Sequence, residues 1–241
     1  MRRLEGVSEA GARSRNPERV CEGSLHGKSM EQVDITGISF DSFISFMFDR
    51  PVPKKDPWYW NTEAICVPAE LASHYQKLFL GPRFLLERFS KPQLEQAFWA
   101  IPGNNLNCSV QNLIWTKDLE SIVRQGCVRT MYGLFERLFA IEHLETSAYM
   151  WWDALCYDWH CGNRDRANGG DEQYLQDVMF ETLAKILELQ SVECQTDALH
   201  GLGHLHHPRT EELIKRYLAN HPNLNPERKK YALAAAHFEV Q

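Results

Sequence analysis

The chain reads as an all-α protein. From Ser39 almost to the end, apolar residues recur at helical spacing. Proline, serine, asparagine and glycine mark the ends of most of those runs, and no alternating β-branched run is long enough to require a sheet. At 241 residues, 44% hydrophobic and 24% charged, it has the make-up of an ordinary globular chain of one large or two small domains.

Residues 1–32 carry few large apolar side chains and many charges of both signs, so they are expected to form a disordered tail. "SFDSFISFMFD" then predicts a short aromatic helix, followed by the proline-bounded loop "RPVPKKDPWYWN". Pro68 sits at a first helical position, with Leu71, Tyr75 and Leu78 on one face and Gly81 as the stop. Ser90 and Pro92 open a helix through Leu94, Phe98 and Trp99 that "IPGN" closes. Thr116 is expected to begin a longer one, with Leu119, Ile122, Val123, Leu134, Phe135 and Leu138 on its apolar side. Gly126 and Gly133 each cost that helix roughly 1 kcal/mol relative to alanine. In "SAYMWWDALCYDWHC", Ala148, Trp152, Leu155 and Trp159 form a buried stripe, and the cluster Cys156, His160 and Cys161 reads as packing. "GNRDRANGG" is a flexible connector. It suggests regions 33–165 (aromatic-rich) and 166–241, or one continuous domain 33–241. Tyr174, Leu175, Val178, Leu183, Ile186 and Leu187 mark the next helix. Three shorter ones follow near 192–206, 210–220 and 226–238, divided by Pro208 and by Asn225–Pro226 as N-cap and N1.

Net charge is −6, so no nucleic-acid footprint is expected, and no apolar run is long enough to predict a membrane span. Residues 142–181 hold nine acids and two arginines, which favours a basic protein partner over an acidic one. Seven scattered cysteines without a CxxC pair read as reduced thiols of a cytoplasmic protein. GxSxG, P-loop, GxGxxG and HExxH motifs are absent.

Ala198, Leu199, Leu202, Gly203 and Pro208, followed by Leu213, Ile214, Tyr217 and Leu218, resemble one HEAT-like repeat of the phycobilin-lyase type, and Pro226–Ala236 would start another. The resemblance covers about the last seventy residues. It implies antiparallel helix pairs at the end of an irregular helical array, and a surface used for binding. HEAT-like hydroxylases build di-iron sites from His-Glu dipeptides; this chain contains none.

The most chemical stretch is "DALHGLGHLHH". On a helical wheel Glu193, Asp197, His200, His204 and His207 fall within about 80° of one another, opposite Cys194, Ala198, Leu199, Leu202 and Leu205. The expectation is a solvent-directed stripe beside Gly201 and Gly203, which leave room for something to approach. Two functions follow. One is a non-enzymatic interaction module, an adaptor or immunity-type binder without a cofactor. It would engage a protein partner through Trp151, Asp153, Asp158, Asp165, Asp197, His200 and His204. The alternative is a metal-dependent enzyme holding zinc or iron on Asp197, His200, His204 and His207, since histidines at i and i+4 can reach one ion.

Overall fold

The computed structural model describes residues 30–240, which form an all-α array of eleven helices with two short strands. Residues 1–29 of the expected tail lie outside the described residues. Glu31 and Gln32, also assigned to it, instead open β1 (Glu31–Asp34), which pairs in parallel with β2 (Thr62–Ile65), Val33 opposite Ala64. Parallel strands need a crossover. Here it contains α1 (Phe40–Phe48), whose N-cap Ser39 accepts a hydrogen bond from the Ser42 N–H. The Asn107 side chain grips the backbone of Ala64 at both ends, accepting from its N–H at 2.8 Å and donating to its carbonyl at 2.7 Å. Four-residue strands carry too little alternation to stand out in the sequence.

Helix α2 (Pro68–Leu80) starts at the expected proline and ends at Gly81. After the single turn α3 (Leu85–Arg88), α4 (Lys91–Ala100) is closed at its start by a Ser90/Gln93 capping box. The helix expected from Thr116 begins only at Ser121, because Thr116 terminates α5 (Val110–Trp115). α6 (Ser121–Leu134) then runs on as a π turn over Phe135–Phe139. Gly133 has a reason to interrupt α6. A Cβ there would stand 2.6 Å from the Phe79 carbonyl oxygen, so its absence lets α2 and α6 touch backbone to backbone.

The second half contributes α7 (Trp151–His160), α8 (Gly170–Ile186), α9 (Val192–Leu205), α10 (Thr210–Asn220) and α11 (Pro226–Ala236). α11 is capped by Asn225, which accepts from the Arg228 N–H. α6 packs on α8, α7 and α11 on α9, and α10 on α11. A single cluster of buried side chains runs from Ile35 to Val240, across residues 165 and 166. Among the described residues, no helix is long and apolar enough to cross a membrane.

Helix α9 corrects the expectation of a solvent-facing stripe. From Asp197 to Leu205 every residue is buried, and Asp197, His200, His204 and His207 are 1%, 1%, 6% and 1% exposed. Only Glu193, a turn earlier, remains exposed. A wheel reports where a helix is polar, not what covers it. Here α7, α8 and α11 surround α9, and they bring polar groups of their own to its polar side. The glycines leave no open room either. A Cβ on Gly201 would meet the Trp152 Cβ at 2.5 Å, and one on Gly203 would meet Val240 Cγ2 at 2.4 Å. Both glycines exist for close packing.

Candidate metal centre

The approach that Gly201 allows between α7 and α9 brings Asp153, the neighbour of Trp152, beside the histidines of α9. His204 Nε2 lies 3.1 Å from Asp153 Oδ1. His200 precedes it by one turn, with ring centroids 4.6 Å apart and planes at 82°. One ligating atom from each of Asp153, His200 and His204 lies within 4.8 Å of the other two. Bonds of roughly 2.0–2.1 Å would place tetrahedral ligand atoms about 3.4 Å apart, so modest side-chain rotations would close this group around an ion.

His200 is held from outside the group. Its Nδ1 is 2.7 Å from the Tyr231 hydroxyl of α11, which is 2.8 Å from the Tyr149 hydroxyl, and the Tyr149 ring stacks on the imidazole at 4.1 Å. These contacts fix the ring and leave its Nε2 buried without a hydrogen-bond partner; His204 Nδ1 is in the same position. Each such orphan costs on the order of 1–3 kcal/mol; tryptophan Nε1 atoms elsewhere in the interior are unpaired as well, so it is the grouping with Asp153 that sets these nitrogens apart. Burial, helped by the neighbouring His204, lowers the His200 pKa to about 4. His204 is also lowered, by burial first, with Asp153 pulling the other way and His160 adding to the drop. Both imidazoles are therefore neutral near pH 7, the state in which a ring nitrogen offers a lone pair. Two imidazoles and a carboxylate suit zinc or ferrous iron.

Other residues named from the sequence fall elsewhere. Asp197, the carboxylate expected to join the ligands, instead pairs with His143 Nε2 at 3.1 Å. Burial raises the Asp197 pKa, while the hydrogen bond to Asp197 raises that of His143. His207 is consumed as well. Its Nε2 meets Asp177 Oδ1 at 2.9 Å, its Nδ1 accepts from the Arg209 N–H, and its ring stacks on Phe180. A helical wheel could not separate His207 from His204, because the chain leaves the helix between them. His206 ends α9 in the left-handed conformation, at φ +53°.

The surface offered to a partner is also redistributed. Trp151 is fully buried among Phe79, Phe98 and Phe139, so it presents nothing to a docking protein. It left the apolar stripe of α7 only because aromatic residues from α2 and α4 make a second wall. Asp158 is engaged by Arg164, and exposed Asp165 caps a short 3₁₀ turn by accepting from the Ala167 N–H. Much of the acidic excess is matched locally: Arg124 and Lys117 on Asp171, Arg166 on Asp177, Lys91 on Glu142.

The meeting of Asp153 with His200 and His204, and the Tyr149–Tyr231 support, were missed in the sequence. The available signal was Asp153 and His160, seven residues apart and so on one face of α7. His160 and Cys161, read as packing, are exposed, whereas Cys156 is buried as expected.

Scans against protein-family models, curated proteins and solved structures find no match to this chain.

Proposed function

We propose that the protein is a metal-dependent helical protein in which Asp153, His200 and His204 hold one divalent transition-metal ion, zinc or ferrous iron. The observation that carries this reading is the convergence of one carboxylate and two imidazoles within 4.8 Å, with His200 Nε2 enclosed and unpaired. Three protein ligands leave coordination positions open, as in catalytic rather than purely structural sites, and an ion so held supplies Lewis acidity. The chain's own contribution is to seat α9 against α7 through the close contact of Gly201 with Trp152 and Leu183, and to fix the His200 ring through Tyr231 and Tyr149. An interaction role would have to use residues other than buried Trp151, Asp197, His200 and His204.

The test is metal stoichiometry. Protein made without a histidine tag is stripped with chelator, titrated with zinc and cobalt(II), and compared with H200A/H204A and with D153N. One equivalent in the wild type, none in the double variant and weaker binding in D153N is the expected result. A wild-type chain that takes up neither ion, or a double variant that binds as well, would overturn the proposal.

A further inference from the structure

His160 ends α7, exposed to solvent, two turns beyond Asp153 on the same helix. Its ring meets the buried His204 edge-on, with centroids 4.6 Å apart at 78°, and meets His206 at 5.3 Å and 87°. His206 is held there by its left-handed backbone and by stacking on Phe238 at 4.5 Å. His204 Nδ1 and His206 Nε2 are both enclosed and without partners. Imidazoles thus form an unbroken file from the surface inward: His160, with His206 beside it, then His204, then His200 at 4.6 Å.

We propose that His160, assisted by His206, is the outer station through which a divalent transition-metal ion reaches the Asp153–His200–His204 centre. This rests on that centre binding a metal. The reasoning is chemical. A hydrated ion cannot pass between packed helices with its water shell intact, so it must shed water as it gains protein ligands. A file of imidazoles lets each exchange happen with the ion still bound to nitrogen. A competing path exists, since a hollow of about 170 Å³ lined by Trp99, Pro102, Asn105, Ser147 and Met150 touches Asp153. It offers neutral walls, one carboxylate and no imidazole, so it would require the ion to desolvate before it met a nitrogen ligand.

The experiment follows zinc loading and release by stopped flow, using chelator-stripped wild type and H160Q with a fluorescent zinc indicator as competitor. His160 is exposed, so the substitution leaves the core intact. A group that acts only along the path alters both rates equally, so loading and release should each slow about tenfold or more while their ratio, Kd, holds. H206Q should slow both to a smaller degree. Unchanged rates in H160Q would overturn the proposal and move access to the hollow at Asp153. A Kd weakened more than tenfold with unchanged loading would also overturn it, by making His160 a permanent ligand. A wild-type chain that binds no zinc in the equilibrium titration would remove the centre itself, a failure distinct from both.

Discussion

Acidification should unfold the chelator-stripped protein, and His200 should account for a measurable share of the loss. In the fold its pKa is about 4, against 6.5 for the free side chain. The unfolded chain therefore accepts a proton that the folded chain refuses. Above pH 6.5 neither state is protonated and this contribution to stability is whole; it drains away as pH falls toward 4. Linkage gives a loss of about 2 kcal/mol by pH 5 and about 3 kcal/mol by pH 4 from this one group. His204, lowered by the same burial, drains in the same direction; besides His200, the titratable groups facing it are Asp153, His160 and His206. Urea denaturation at pH 7.5, 6, 5 and 4.5 measures the slope directly. The variant H200Q, which cannot take up that proton, should lose stability at pH 7.5 but fall less steeply below pH 6.5. Parallel pH profiles for wild type and H200Q would refute the reasoning, because the buried imidazole would then be free to ionise in place.

Two further outcomes follow from the packing around α9. Gly201→Ala forces a methyl against Leu183 and against the Trp152 Cβ, an atom that moves only with the backbone of α7. It should cost about 3 kcal/mol by thermal or urea denaturation and also weaken zinc binding, since Trp152 precedes Asp153 on α7 and a shift of that helix would carry the carboxylate with it. A methyl on Gly203 meets the Val240 side chain first, on a segment outside any helix, so a smaller loss of about 1 kcal/mol is expected; equal costs at the two sites would contradict this account. Tyr231→Phe removes the hydroxyl at His200 Nδ1 while keeping the ring. Zinc affinity should fall about 10–100-fold in competition titrations, with secondary structure by circular dichroism unchanged.

Helix positions were legible wherever a cap or proline sat at the end of an apolar run: Ser39, Pro68, Ser90 and Asn225 all mark real starts. Thr116 misled because a capping-type residue also serves at a helix end, and the short α5 before it has too few turns to show a period. The histidines were visible as chemistry, yet their surroundings were not. Whether His200 faces water or protein depends on Tyr231 and Tyr149, which lie 31 and 51 residues away and carry no local mark of the role. Glycine had two readings, open space or close contact, and only the partner helix decides between them. Asp153 shows the same limit. Its spacing to His160 was readable, but its meeting with His204 follows from how far α7 sinks onto α9.

The grip of Asn107 on Ala64 also bears on how the protein behaves in a crowded solution. An isolated pair of strands ends in unsatisfied amides that can recruit another chain and seed assembly by edge addition. One side-chain amide, bonded to both the N–H and the carbonyl of a single residue, stands in for a neighbouring strand one residue long and occupies the outer rim of β2. Stacking of one molecule on the next along that rim is thereby blocked at its middle.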